Sequence, residues 1–271
     1  MNLADRAYVA EQYRDSSRFD ARVQIYALFD QSPEPWMRWL FERLSLSPGE
    51  RVLEVGCGTG NLWRENAERV PHGATLVLTD AAPAMLEQAR ARLAGLALAP
   101  DFRAADAQAL PFADASFELV LANHMLYHVP DRARALAELA RVLRPGGRLV
   151  VGTNHWTHLL ELRELLERFG LAGLLLAPLR DRSEFDLETA AEEIAAVLDV
   201  QRVERRRSAL AIRAVEPLLA YVRSMAPSGA LSESALDALA RHAARQIELA
   251  GALHVGIEAG VVLARKPVSA A

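Results

Sequence analysis

Three glycines at alternate positions, Gly56, Gly58 and Gly60, follow the apolar run Val52-Leu53-Glu54-Val55. Glycine lets a backbone turn tightly and lets a ligand approach with no Cβ in the way. The spacing is G-x-G-x-G, whereas a dinucleotide fingerprint, G-x-G-x-x-G, needs a glycine at position 61, which is Asn61. Glu54, inside the preceding run, suits a ligand that is cationic near the loop better than a pyrophosphate. Taken alone, the loop reads equally as a ligand site or a plain turn. Asp80 ends the next apolar run, twenty residues beyond Gly60, where a carboxylate can accept both hydroxyls of a ribose. Its alternative is a helix N-cap before Pro83-Ala84. Asp106 closes a third strand-like segment, where a carboxylate can accept an adenine amino group while the Ala107 amide donates to the ring.

These acids need a sheet to bring them to one edge, and the punctuation of the chain supplies one. Arg51–Val55, Ala74–Asp80, Phe117–Ala122 and Gly147–Gly152 read as short apolar strands, with helical patterns at Ala84–Leu93 and Asp131–Leu143. Alternation of strand and helix argues for a parallel sheet with right-handed crossovers and helices on both faces, a doubly wound α/β domain whose ligands sit at the carboxyl edge. Residues 1–47 read as a helical cover. In its first helix Phe19, Val23, Tyr26 and Ala27 fall at helical spacing. In its second, Ser32 and Pro33 serve as N-cap and N1, and Trp36, Leu40, Phe41 and Leu44 form the apolar face. The domain proper then runs over 48–271, with cap helices inserted at about 155–180 and 213–250. Val200–Ile212 is β-like, Ser232 is an N-cap flanked by the staple pair Leu231 and Leu236, and Gly260–Arg265 is a closing strand.

Composition narrows the function classes. The 271 residues are 51% hydrophobic and 24% charged, as in an ordinary globular protein. The net charge of −4, from 31 basic and 35 acidic residues, gives no global positive field, so nucleic acid is not an expected partner. Cys57 is the single cysteine, which leaves no intramolecular disulfide and no zinc-ligand spacing, and no metal site is expected. The start, Met1-Asn2-Leu3-Ala4-Asp5-Arg6, lacks the features of a secretory signal, and Leu171–Leu179 is too short for a membrane span. Cytoplasm is the expected compartment, with the chain a monomer or homodimer.

The ordered text Val52–Gly60, Leu78-Thr79-Asp80 with Met85-Leu86, Asp106-Ala107 before Leu110-Pro111-Phe112, Phe117–Val120 and Glu138–Leu149 resembles the class I S-adenosylmethionine-dependent methyltransferases. It is similar in particular to the group that includes the ubiquinone/menaquinone-biosynthesis and many small-molecule enzymes. The resemblance covers about residues 48–152 and implies a Rossmann-like, mostly parallel seven-stranded sheet. It further implies S-adenosyl-L-methionine as cofactor, S-adenosyl-L-homocysteine as product and a small organic acceptor. Carried over residue by residue, Gly56, Cys57, Gly58 and Gly60 would surround the methionine portion, with Glu54 organising the loop near the ammonium. Asp80 would hold the ribose, with Ala81 beside it; Met85, Asp106 and Ala107 would meet adenine; and Asn123 would lie beside the transferred methyl. Tyr13 and Arg22 resemble cover-helix residues, Arg22 meeting the cofactor carboxylate; their alternatives are ordinary packing and a solvated helix face.

A sulfonium methyl is already activated, so no acid or base is obligatory. Should the acceptor need one, His124 and His155 are the base candidates, because they stand nearest the predicted ends of the fourth and fifth strands. His128 and Trp156 read better as structural, and Arg205-Arg206-Arg207 as charges that guard an edge strand. No N/D-P-P-Y/F segment follows the fourth strand, which disfavours nucleic-acid and protein substrates. Two other readings stand beside methyl transfer to a small molecule: an NAD-type oxidoreductase, and a cofactor-binding protein of the same fold without turnover.

Overall fold

The computed structural model describes residues 17–171, 185–226 and 230–268, with side chains from Asp20 onward. Seven strands form one sheet: β1 (Arg51–Val55), β2 (Thr75–Asp80), β3 (Asp101–Ala104), β4 (Phe117–Asn123), β5 (Leu143–Asn154), β6 (Asp199–Ile212) and β7 (Leu253–Arg265). Their order is β3-β2-β1-β4-β5-β7-β6. The pairs β2–β3, β1–β2, β1–β4 and β4–β5 are parallel, and β7 runs antiparallel to β5. The expected Rossmann-like sheet is therefore present. Strand order reverses between β1 and β4, which defines the switch point where a doubly wound sheet opens a crevice.

The strands at the centre are buried on both faces, and period-two alternation assigns their side chains to two layers. Leu53, Val55, Val120, Ala122, Leu149 and Val151 meet α5 (Arg132–Val142) and α7 (Leu187–Ala195). Val52, Leu76, Leu78, Leu119, Leu121 and Val150 meet α2 (Trp36–Leu44), α3 (Asn61–Asn66) and α4 (Pro83–Leu93). Gly260 permits close packing at the far side of the sheet, where a Cβ would run into the Glu204 carbonyl oxygen and lie 2.6 Å from Leu187 Cδ2.

The chain divides into two compact units. One comprises residues 34–155, 182–205 and 259–271 and holds the parallel sheet. The other comprises residues 1–33, 156–181 and 206–258. Its core joins α1 (Ser17–Phe29), α6 (Leu160–Arg168), α8 (Val215–Met225) and α9 (Glu233–Ala250) with Leu210, Ile212, Val255 and Ile257. The two predicted cover helices thus fall in different units. α9 starts as its sequence signals, with the Ser232 hydroxyl accepting from the Ala235 amide and Leu231 beside buried Leu236.

Several boundaries and faces differ from expectation. α1 buries Ile25 and Phe29, while Val23 is 38% exposed, so the core face is turned away from the predicted one. α2 begins at Trp36 behind Pro35, because Ser32 bonds to the Asp30 carboxylate and caps no helix. β3 ends at Ala104, short of Asp106, which instead forms an isolated bridge with Ala109. α7, opened by a reciprocal capping box between Asp186 and Thr189, was not anticipated. β7 begins at Leu253, well before Gly260. The leucine-rich part of the predicted first cap lies outside the described residues.

Candidate functional site

At the switch point the glycine loop is held by its own backbone. The Cys57 amide donates to the Thr79 carbonyl at 2.9 Å, the Gly60 amide to the Cys57 carbonyl at 3.0 Å, and the Thr79 hydroxyl to the Glu54 carbonyl at 3.0 Å. Gly56 and Gly60 both take φ of +73°, a left-handed conformation that strains any side chain. At Gly56 a Cβ would also stand 2.7 Å from Met125 Cβ. Gly58 leaves its loop open toward Met85, whose methyl carbon lies 3.8 Å from where a Cβ would be.

Asp80 is tied into this loop. Its Oδ2 accepts from the Gly58 amide and its Oδ1 from the Ala82 amide, each at 2.9 Å. Burial raises its pKa, opposed by these backbone donors. The carboxylate is thus oriented by the same loop that would receive a ligand, and it is not the N-cap of α4, which starts at Pro83 behind Ala82 with no side-chain cap. Glu54 is only 3% exposed and accepts a 2.6 Å bond from the Trp63 indole. Burial drives its pKa up to about 8, with the Asp80 charge adding to the rise and the Trp63 bond opposing it. Burial likewise pushes the Cys57 thiol upward, so it is no ready nucleophile. Arg92 steadies the far side of the loop, donating to Thr59 Oγ1 and Asn61 Oδ1 at 3.2 Å.

Asp106 is exposed and its Oδ1 accepts from both the backbone and side-chain nitrogens of Gln108, which makes it the pivot of a turn that presents buried Ala107. Asn123, at the end of β4, accepts from the Trp36 indole at 3.3 Å and sits over Gly152, where a Cβ would collide with its Oδ1. Val55 pairs with Thr79 on one side and Ala122 on the other, so the glycine loop, Asp80 and Asn123 share one sheet edge.

The two base candidates have different surroundings. His124 takes φ of +52°, its amide donates to the Gly152 carbonyl at 2.8 Å, and its ring lies 5.1 Å from that of Trp36. Desolvation pulls its pKa down to about 4, which makes it neutral at ordinary pH but a weak base. His155 is 5% exposed, with Nε2 at 3.5 Å from both Glu188 Oε1 and Arg205 Nη1. Arg205 also pairs with Glu188 at 3.0 Å, and all three arginines of the Arg205–Arg207 run are used in ion pairs. Within the helical unit, Arg206 pairs with Asp30 and Arg207 with Glu258.

The structure brings Glu54, Gly56, Cys57, Gly58, Gly60, Asp80, Ala81, Met85 and Asn123 to one place, the loop and the strand ends around it. Arg22 belongs to the other unit, where its guanidinium donates to the Ser224 carbonyl at 3.2 Å. Tyr13 lies outside the described residues. Met125, against Gly56, and Trp63, on Glu54, escaped the sequence reading. The signal for Trp63 is an indole in the first turn after the glycines, near enough in sequence to fold back on the acid. Among the described residues no group of three or more His, Cys, Asp or Glu is arranged to hold a metal, and no helix is long and apolar enough to cross a membrane.

A mostly parallel seven-stranded sheet with a glycine loop and an acid-ended second strand at its switch point is a Rossmann-like architecture. Residues 53–151 match the methyltransferase domain family. Methyltransferase GfsG of Streptomyces halstedii is 44% identical over 114 residues, 41% of this chain and 40% of that protein. The ubiquinone/menaquinone biosynthesis C-methyltransferase UbiE of Ectopseudomonas mendocina is 41% identical over 118 residues, 43% of this chain and 46% of that protein. The match thus spans less than half the length of these relatives. A solved protein of Bacillus halodurans C-125 described as a methyltransferase superposes with a TM-score of 0.60 at 19% identity, over 86% of this chain and 99% of that one. Residues 53–151 are thus similar to the methyltransferase domain family, and the oxidoreductase reading finds no support among these relatives.

Proposed function

We propose that the protein transfers a methyl group from S-adenosylmethionine to a small organic acceptor. The observation that carries this reading is the bond from the Gly58 amide to the Asp80 carboxylate, which couples the glycine cradle to the acid that would accept the two ribose hydroxyls. The residues present fit that cofactor. A Cβ at Gly56 would fill the cradle and strike Met125, Asp80 retains acceptor capacity beyond its two backbone donors, and Asn61 in place of a third dinucleotide glycine is itself bound to Arg92.

The bound cofactor would supply an electrophilic methyl on sulfur. The chain's own residues would do the rest. Gly56, Cys57, Gly58 and Gly60 would surround the methionine portion; Asp80 with Ala81 would hold the ribose; Met85, Asp106 and Ala107 would border the adenine; and Asn123 would line the methyl end. Glu54 would act by fixing the loop through Trp63, and in this reading Arg22, bonded to Ser224, serves the helical unit's packing. His124 and His155 remain the general-base candidates, with His124 suited to orienting an acceptor and ill suited to holding its proton. Cytoplasmic residence and a monomeric or homodimeric state complete the proposal.

The test is transfer of radiolabelled methyl from S-adenosylmethionine into a small-molecule extract, with Asp80→Ala beside the wild type. Label entering low-molecular-mass products, and reduced at least about tenfold by the substitution, supports the reading; since a charge-assisted bond contributes roughly 1.5–3 kcal/mol, losing one predicts a drop of that order or larger. Label appearing only in protein or RNA would contradict it.

A further inference from the structure

His124 is one of four non-glycine residues with positive φ among those described, and the other three have conformational reasons to be there. Ser45 ends α2, Leu159 precedes α6, and Ala115 turns the chain into β4. His124 alone stands at the carboxyl edge of the sheet, directly after Asn123 and one residue before the methionine that closes on Gly56. Glycine would occupy this backbone without strain, so an imidazole kept there points from an observed outlier to a use for the side chain.

Its surroundings say what that use is. Trp36 and His124 have ring centroids 5.1 Å apart and tilted by 52°, and Tyr127 and His124 have theirs 6.5 Å apart. Trp36 is fixed from behind, stacked on Trp39 at 5.1 Å and bonded through its indole nitrogen to Asn123. Arg43 lies 4.0 Å over the Trp39 ring, so the cationic group is spent on the buried end of the ladder. Trp36, His124 and Tyr127 are each half-buried. All of these residues belong to the unit that carries the glycine loop.

We infer that Trp36 and His124 form the acceptor-binding wall of the site, and that it takes a flat, uncharged ring bearing a hydroxyl, stacked on Trp36 and donating that hydroxyl's hydrogen bond to the His124 imidazole. This inference rests on the methyltransferase reading for the identity of the neighbouring ligand. An imidazole that stays neutral through the physiological range keeps a lone pair for such a donor. His124 is then a binding and positioning residue, and the ring faces select against aliphatic acceptors.

The experiment compares binding of 2-naphthol and 2-methoxynaphthalene, which share a ring system but differ in the donor, with and without saturating S-adenosylhomocysteine. The wild type should bind 2-naphthol roughly two- to tenfold more tightly, the range expected of one net hydrogen bond. His124→Gly should bring the ratio to about one and leave thermal stability unchanged or raised, because it also relieves the left-handed backbone. Trp36→Leu should weaken both probes by roughly two- to tenfold, the contribution of one aromatic pair, and Trp36→Phe should retain most binding while guarding against a folding defect. The inference is overturned if the wild type binds neither probe, if the ratio survives in His124→Gly, or if Trp36→Leu binds both unchanged. Failure of the cofactor reading would show separately, as no binding of S-adenosylhomocysteine by the wild type.

Discussion

Glu54 illustrates how one residue can be legible in type and misleading in detail. Its place before the glycines marks it in the sequence as an acid beside the ligand, yet the carboxyl is sealed against the Trp63 indole with a pKa of about 8. A carboxyl whose pKa is raised on folding stabilises the native state most below its ordinary value near 4.5, and that contribution is lost as pH rises toward 8. Glu54→Gln removes the titration, so its stability relative to wild type should climb steadily between about pH 5 and 8 in denaturant unfolding. A constant difference across that range would contradict the assignment. No pattern in the sequence reports desolvation by distant residues, which is why the rise, caused by burial and opposed by the Trp63 bond, is not legible there. His124 shows the same gap: its position after β4 was readable, but its left-handed backbone and Trp36 neighbour depend on tertiary contacts.

At the scale of elements, legibility followed the strength of local signals. β1, β2 and β4 announce themselves as apolar runs because both faces are covered. α8 and α9 are bounded as their patterns suggest, α9 by a serine cap and its hydrophobic staple. α1 misled because spacing alone cannot distinguish Val23 from Ile25 as the buried position when both are β-branched and apolar. α7 was missed because its capping box is Asp186 with Thr189, outside the usual serine or threonine with glutamate pairing. Gly260 was read as part of a closing strand, but the sequence gives no hint that β7 there lies hard against β6. Gly260→Ala should therefore cost at least about 1–3 kcal/mol, the range for overpacking, since the nearest obstacle is backbone and cannot swing away. Chemical denaturation would read this directly, and a loss below about 0.5 kcal/mol would show that β6 yields.

For the molecule as a whole, the similarity to methyltransferase domains over residues 53–151 is legible in ordered motifs, whereas the helical unit built from α1, α6, α8 and α9 has no comparable signature. The reason is physical: a cofactor loop constrains residue types at fixed spacing, while a helical core asks only for apolar residues of suitable volume. The cofactor is thus written more plainly than the acceptor. The most direct test of the central claim is thermal unfolding with S-adenosylmethionine, S-adenosylhomocysteine or NAD, in the wild type and in Asp80→Ala. Ligand at about 100 times its dissociation constant stabilises the native state by roughly 2.7 kcal/mol, which moves the midpoint by a few degrees. Both adenosyl ligands should produce that shift in the wild type, NAD should not, and Asp80→Ala should abolish it. A shift with NAD alone, or the same adenosyl shift in Asp80→Ala, would contradict the account.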